Sequence, residues 1–265
     1  MAVIRVEDPQ DPPAAAFADV RERDLTGRHG LFIAEGEVVL RVLASPASRC
    51  RPIAVLIAER RAASLADILA GLPDDVPVYT APQPVLDRIA GFHLHRGILA
   101  LGEKPAPIAL DSFLAAAPNE AVLVAACGIG NHDNMGGIFR AAAAFGAAGV
   151  LLDDSCCDPF YRKAIRVSVG AVLRTPFVAG LDAGAMLDEL KAAGFRVLAM
   201  TPAASAPLHL TPRGGRVAIV LGAEGPGLPA ELLDRCDSVG IPMSGGFDSL
   251  NVATAGAIAL HHFTR

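Results

Sequence analysis

Short runs of apolar residues recur along the second half of the chain and constrain its fold more than any other feature. The runs cover residues 122–126, 150–152, 197–200, 217–221 and 238–241, and polar or glycine-containing segments separate them. Near-continuous apolar strands of this kind are typical of a parallel sheet that is covered by helices on both faces. The sequence therefore predicts an α/β fold built on a parallel sheet.

The first half of the chain shows a weaker alternation of the same kind. We predict strands at 31–34, 53–57, 76–80 and 97–101, with helices at 17–25, 37–43 and 65–69. This alternation is typical of a small α/β unit. The two prolines in residues 103–107 favour a linker, because proline stiffens and extends the chain. The predicted organisation is a flexible leader at 1–12, a first domain at 13–104, a linker and leading helix at 105–119, and a second domain at 120–265.

Composition excludes several classes of protein. With 52% apolar and 19% charged residues, the chain can offset the entropy of ordering its backbone, which excludes a disordered protein. No apolar stretch approaches the roughly 18 residues that a membrane span needs. The first residues include Arg5, Glu7 and Asp8 instead of the basic start and apolar run of a signal peptide. We therefore expect a cytoplasmic protein with no membrane partner.

Charge and residue chemistry narrow the possibilities further. A net charge of −5 argues against non-specific coating of nucleic acid but leaves room for a local basic patch. The absence of Trp and the presence of only two Tyr leave little aromatic surface for stacking on bases. The five cysteines form no CxxC pair, so we expect them to be reduced and mostly buried. His93 and His95 have no partners at metal-ligand spacing, no metal site is predicted, and Asp153 is expected to be a solvated loop end.

A first motif lies in the loop of residues 128–137, which follows a predicted strand and opens a helix. It fails as a dinucleotide fingerprint, because Asp133 stands where the third glycine is needed. What remains is the pattern Asn134-x-Gly136-x-x-x-Arg140. On a helix starting near Gly136, Arg140 would lie about one turn in, at the end of the sheet where ligands bind in α/β folds. An ordinary exposed helix arginine is the structural alternative.

Two further motifs follow later strands. The pattern Gly-x-Glu-x-x-Gly-Leu begins at Gly222 and suggests a loop whose backbone approaches a ligand closely, although an ordinary turn is also possible. The third motif joins Ile-Pro-Met, from Ile241, to Ser-Leu-Asn-Val, from Ser249. Ser249 or a near neighbour is predicted to cap a helix of small residues that ends near His262. Capping and ligand binding are compatible, because a helix N-terminus presents free N–H groups.

In this order, the three motifs resemble those of the SpoU/TrmH family of AdoMet-dependent RNA ribose 2′-O-methyltransferases. The resemblance covers about residues 120–263, including 162–170, and a shorter similarity at 32–36 extends to the substrate-binding domain that many members carry. It implies a C-terminal trefoil-knotted parallel-sheet methyltransferase domain at 120–265. It also implies a small α/β (L30e/L7Ae-like) domain that binds the substrate RNA at 13–104, and a homodimer formed through the knotted domains.

The resemblance also implies roles for individual residues. S-adenosyl-L-methionine would be held by Gly222, Ile241, Leu250, Met200, Glu224 and Met243. The catalytic set would be Arg140, Asn134, Glu224, Ser249 and Asn251, and RNA would contact Arg21, Arg23, Arg28 and Arg166. Because a guanidinium only donates hydrogen bonds, we expect Arg140 to fix a phosphate and stabilise alkoxide charge, with a phosphate oxygen or water accepting the proton.

Two other functions are compatible with the same motifs. The chain could be a catalytically silent knotted RNA-binding or scaffold protein, although such a protein would not need the whole polar set. It could also be a knotted enzyme that methylates a base. The motifs do not distinguish ribosomal from transfer RNA as the structured RNA partner.

Overall fold

A computed structural model describes residues 3–17, 30–204, 206–245 and 248–264 of the chain. The helices are α1 Pro12–Ala15, α2 Glu37–Leu43, α3 Ala66–Ala70, α4 Gln83–Ala90, α5 Leu110–Ala115, α6 His132–Phe145, α7 Arg162–Val167, α8 Ala183–Ala192, α9 Ala230–Leu233 and α10 Val252–Phe263. The strands are β1 Val3–Arg5, β2 Leu31–Glu35, β3 Arg51–Ala58, β4 Val78–Ala81, β5 Ile98–Glu103, β6 Ala121–Ala126, β7 Gly149–Asp153, β8 Phe177–Leu181, β9 Arg196–Met200, β10 Ala206–Pro207, β11 Arg216–Leu221 and β12 Asp237–Gly240.

The chain divides into two units, whose bounds differ from those of the predicted domains. The first unit comprises Met1–Pro105 with Phe160–Arg174, and the second comprises Ala106–Pro159 with Thr175–Arg265. The chain passes from the first unit to the second between Pro105 and Ala106, within the linker predicted at 103–107. Residues 160–174, predicted to belong to the second domain, fold with the first unit, because Phe160 stacks on Phe32 with ring centroids 5.1 Å apart.

The first unit contains a five-stranded mixed sheet in the order β1-β4-β3-β5-β2. Strands β1, β4 and β3 run parallel, whereas β5 is antiparallel to both β3 and β2. The predicted leader is corrected here, because Val3–Arg5 forms an edge strand on β4. Its three residues are all exposed, and so short a strand shows no hydrophobic period in the sequence. The predicted helix at 17–25 falls almost wholly outside the described residues.

The second unit contains a parallel sheet in the order β10-β12-β9-β11-β6-β7-β8, which confirms the predicted fold class. Strands β6 and β11 are adjacent, with Ala126 paired to Leu221 at their carboxyl ends. From β6 the chain moves towards β7, and from β11 it crosses to β12 on the other side. Loops at such a switch point leave a crevice where α/β proteins bind ligands. The first and second motifs occupy these two loops.

Helices α6 and α10 pack closely against each other within the second unit. A Cβ atom added at Gly137 would lie 2.7 Å from the Cβ of Ala253, so the crossing requires glycine. Helix α6 begins at His132, where the Asn131 side chain accepts the Asp133 N–H at 2.8 Å. The predicted start near Gly136 is therefore corrected, and Arg140 lies more than two turns into the helix.

No helix within the described ranges combines the length and apolar character that a membrane span requires. The trefoil knot and the homodimer that the resemblance implies stay predictions.

Candidate cofactor and catalytic site

A cavity of about 590 Å³ lies at the carboxyl ends of β9, β11 and β12. The sequence motifs account for its position, because Met200 ends β9, Leu221 ends β11 and Ile241 directly follows β12. All of the residues predicted to hold the cofactor line it, and so do two further members of the predicted catalytic set. They are Gly222, Ile241, Leu250, Met200, Glu224, Met243, Ser249 and Asn251. The structure thus brings together positions that are up to about fifty residues apart in the sequence.

One wall of the cavity is the glycine-rich loop after β11. A Cβ atom added at Gly222 would lie 2.6 Å from the backbone carbon of Gly227 and from the nitrogen of Leu228. Gly227 has φ +70°, a left-handed conformation that favours glycine, and its N–H bonds to the Ala223 carbonyl at 3.1 Å. The loop's own shape therefore requires these glycines. Glu224 is the one charged residue among those that line the cavity in the described structure.

A chain of hydrogen bonds connects all three motifs. Asn134 is buried with 4% exposure, and its Nδ2 donates to the Glu224 carboxylate. Its Oδ1 accepts from Asn251 Nδ2 at 2.7 Å. Asn251 Oδ1 in turn accepts the N–H groups of Ala253 and Thr254 at 3.0 and 3.2 Å. The two amides are oriented by this chain, which we call the Asn134–Asn251 relay, and they hold Glu224 against the start of α6.

Asn251 caps the N-terminus of α10. The sequence predicted Ser249 or a near neighbour as the cap, and the structure shows that it is the neighbour. Asn251 therefore has a structural role and a position in the cavity wall at once. Ser249 is exposed and lies in the wall without capping the helix. Its hydroxyl is available to a ligand of the cavity.

Arg140 lies on α6 outside the residues that line the cavity. Its side chain is exposed, and within the described part of the chain it has no ion-pair or hydrogen-bond partner. An unpartnered guanidinium on the same helix as Asn134 is free to bind an anion. This placement is compatible with the predicted contact to a phosphate.

Of the four arginines that are predicted to bind RNA, Arg166 lies within the described residues. Arg21, Arg23 and Arg28 lie outside the described residues. Arg166 lies on α7 in the first unit, where its Nη1 is 3.8 Å from the nearly buried Glu35 carboxylate. Arg162 pairs with the same carboxylate at 3.1 Å. Arg166 therefore has a structural partner within its own unit.

The prediction that Asp153 is a solvated loop end is wrong. Asp153 is buried with 7% exposure, and both of its carboxylate oxygens accept the Gly128 N–H at 3.0 and 3.1 Å. Ser155 Oγ donates to it at 2.7 Å. Asp153 therefore fixes the start of the first motif loop. The available signal was its position directly after the predicted strand at 150–152, which is fully buried.

The cysteines near this loop are neutral thiols. All five cysteines are free, but only Cys50 and Cys127 are buried, so the prediction that most of the cysteines are buried is wrong. Burial raises the pKa of Cys127 to about 12, and burial together with the hydrogen bond to Asp153 raises the pKa of Cys156 as well. Neither thiol can act as a nucleophile near neutral pH. Within the described ranges, no group of three His, Cys, Asp or Glu side chains is arranged to hold a metal ion.

Comparisons with known proteins agree with this geometry. Residues 121–261 match the SpoU rRNA Methylase family. A tRNA/rRNA methyltransferase of Mycobacterium bovis is 42% identical over 267 residues, covering 97% of this chain and 90% of that protein. A relative with the same description from Mycobacterium tuberculosis H37Rv is 43% identical over 268 residues, with the same coverage.

Solved structures show the same fold over nearly the whole chain. The AdoMet-bound rRNA methyltransferase of Sinorhizobium meliloti is 25% identical with a TM-score of 0.78, covering 98% of this chain and 97% of that one. A structure described as an RNA 2′-O ribose methyltransferase is 25% identical with a TM-score of 0.79 and equal coverage. With its motifs joined around one cavity and its full length matched by these relatives, the chain belongs to the SpoU rRNA methylase family.

Proposed function

We propose that the protein is an AdoMet-dependent RNA ribose 2′-O-methyltransferase acting on a structured ribosomal or transfer RNA in the cytoplasm. The observation that carries the proposal is the Asn134–Asn251 relay, which joins the three motifs at one cavity. The names of the relatives support an RNA methyltransferase, and one structural neighbour is described as a ribose 2′-O enzyme.

The cavity fits AdoMet in size and chemistry. Its volume of about 590 Å³ lies within the range of roughly 300 to 1,000 Å³ that is typical of small-molecule sites. The backbone at Gly222, Ile241 and Leu250 would hold the adenine, with Met200 and Met243 as apolar walls. A lining whose one charge is the Glu224 carboxylate suits a cation. When bound, AdoMet supplies an electrophilic methyl group on a positively charged sulfur.

The residues around the cavity must also activate a weak nucleophile. A ribose hydroxyl attacks efficiently only as its proton leaves. Arg140 cannot accept that proton, because a guanidinium stays protonated in proteins and only donates hydrogen bonds. Its free donors instead bind the neighbouring phosphate and stabilise negative charge that develops on the 2′-oxygen. A phosphate oxygen or a water molecule accepts the proton.

We also propose a homodimer. We assign its contact to the outer face of α6 and α10, where Ala144 and Ile258 are exposed apolar residues and Ile258 is 39% exposed. A second copy of the chain packing on this face would form the homodimer, and sedimentation velocity would give its mass. The trefoil knot belongs to the same proposal.

Cofactor binding separates an enzyme from a silent scaffold. Titration calorimetry of the full chain should show binding of AdoMet and of its product AdoHcy. Gly222→Ala should weaken AdoMet binding at least about tenfold, because the added methyl group would overlap the backbone at Gly227 and Leu228 and displace the loop that lines the cavity. Gly130→Ala is the matched control, since a Cβ there meets nothing within 4 Å. A wild-type chain that binds neither compound would favour the scaffold.

A further inference from the structure

A second feature lies in the first unit, in residues 91–97, which join α4 to β5. The loop begins at Gly91 with φ +75° and ends at Gly97 with φ +60°, where a Cβ atom would lie 2.9 Å from that of Ala58. In its middle, the Leu94 side chain is completely buried. Burial of Leu94 and the close approach of Gly97 to Ala58 therefore hold the centre and the end of the loop.

Asp87 on α4 holds the same loop through its carboxylate. Asp87 accepts the Leu94 N–H at 2.9 Å and bonds to Nδ1 of His93 at 2.6 Å. Gln83 Nε2 donates to Asp87 at 2.7 Å and to the Leu94 carbonyl at 3.1 Å. Burial acts to raise the pKa of Asp87, but the hydrogen bonds from His93, Leu94 and Gln83 outweigh it and hold that pKa at about 2. The carboxylate stays ionised, so the loop's shape is set before any ligand binds.

This fixed loop presents aromatic rings and a cation to solvent. Phe92 is 41% exposed although the Arg162 guanidinium covers one side of its ring at 4.6 Å from the centroid. His93 and His95 meet edge to face with centroids 4.3 Å apart. An exposed aromatic ring held in one orientation is the group on which an unpaired base stacks.

Arg96 supplies an exposed cation beside these rings. Some exposed arginines of the first unit are ion-paired, as Arg5 is with Glu59 and Arg51 is with Asp75, whereas Arg60 and Arg88 bond to neutral oxygens of Gln83 and Pro84. Within the described residues, Arg96 has neither an ion-pair nor a hydrogen-bond partner. A Cβ atom at Gly36 would lie 3.0 Å from Arg96 Nη1, so the glycine there leaves room for the guanidinium.

We propose that the 91–97 loop is a recognition element for an unpaired nucleotide of the substrate RNA, with Phe92 stacking on the base and Arg96 bonding to the adjacent phosphate. The proposal rests on the proposed function, because it names the RNA feature that this enzyme would read. Preorganisation by Asp87 and Leu94 lowers the entropy cost of binding. A paired RNA offers no free base face, so the loop should discriminate against a duplex.

The test measures binding of the full chain to two fluorescein-labelled RNA probes by anisotropy. One probe is a hairpin with an unpaired loop, and the other is a fully paired duplex with the same number of phosphates. The variants are Phe92→Leu, which keeps an apolar side chain without a ring, and Arg96→Ala. Arg51→Ala is the matched control, since Arg51 lies at the other end of β3 from Ala58, about 23 Å from the loop.

Phe92→Leu should weaken hairpin binding about tenfold and leave duplex binding unchanged. Arg96→Ala should weaken hairpin binding and reduce its salt dependence by about one phosphate contact. Equal affinity of wild type for both probes, or no effect of Phe92→Leu beyond that of Arg51→Ala, would overturn the proposal. AdoMet calorimetry on the same variants should match wild type. Failure of the wild type to bind AdoMet would instead refute the proposed function, so the two failures are distinguishable.

Discussion

At the scale of single residues, the site depends on the direction of two amide groups. Asn134 must donate to Glu224 and accept from Asn251, which itself accepts from the start of α10. The sequence could identify these residue types from their motifs. It could not show the relay, because Asn134 and Asn251 are 117 positions apart and meet only in the folded chain.

The relay predicts a strong effect of Asn134→Asp. At pH 8 the new carboxylate would face Glu224 in a buried position, so we expect a loss of about 1–3 kcal/mol in unfolding free energy and weaker AdoMet binding. Repulsion raises the pKa of one member of the pair in the folded state. The deficit should therefore shrink as the pH falls from 8 to 5. Urea unfolding at both pH values measures it.

Asn131→Asp controls for the same chemical change on the same helix. Asn131 caps α6 from an exposed position, where Asp caps about as well as Asn. This variant should keep the wild-type stability and AdoMet affinity. If the two variants behave alike, the relay does not hold Glu224 in the way described.

At the scale of elements, the buried strands were predictable and the helix ends were not. Strand β11 was predicted at 217–221 and lies at Arg216–Leu221, because a parallel strand covered on both faces is apolar throughout. The predicted start of α6 near Gly136 was wrong, because Gly136 and Gly137 are residues typical of a loop. The helix begins at His132. At Gly137 the reason for glycine is contact with Ala253 on a distant helix. Strand β8 gave no signal, because half-exposed residues and Gly180 interrupt its apolar pattern.

The close crossing of α6 and α10 predicts that Gly137→Ala destabilises the protein. Alanine favours a helix by about 1 kcal/mol over glycine, but the 2.7 Å approach to Ala253 should reverse this, with a net loss of about 1–3 kcal/mol. Gly184→Ala on α8 is the control, because its Cβ would meet the flexible end of Arg235 at 3.3 Å. In thermal unfolding, the Tm of Gly137→Ala should be lower than that of wild type, and the Tm of Gly184→Ala should be equal to or higher than that of wild type. A stabilised Gly137→Ala would contradict the packing.

At the scale of the whole molecule, the first unit is built from two separate segments of the chain, Met1–Pro105 and Phe160–Arg174. Composition located the linker near Pro105, because prolines mark a break in the pattern. It could not assign Phe160–Arg174, whose apolar residues suit either unit. The assignment depends on tertiary contacts such as the bond from the Arg49 N–H to the Leu173 carbonyl at 2.8 Å.

This return of the chain to the first unit predicts that cutting the chain at the linker damages both parts. A fragment of residues 106–265 would keep Phe160 and Leu173, which are buried in the first unit of the intact chain, without their partners. We expect the fragment to bind a hydrophobic dye and to aggregate, whereas the full chain should do neither. A monodisperse fragment that binds no dye would contradict the division into units.

The central claim is methylation of a ribose 2′-oxygen, and the position of the transferred methyl group tests it most directly. The full chain is incubated with AdoMet carrying a labelled methyl group and with RNA from a strain that lacks the protein, and the digested nucleosides are analysed by mass spectrometry. We predict label in a 2′-O-methylnucleoside, and a loss of about tenfold or more with Arg140→Lys, which keeps the charge but not the forked donors. Label on a base, no label, or full activity of Arg140→Lys would contradict the account.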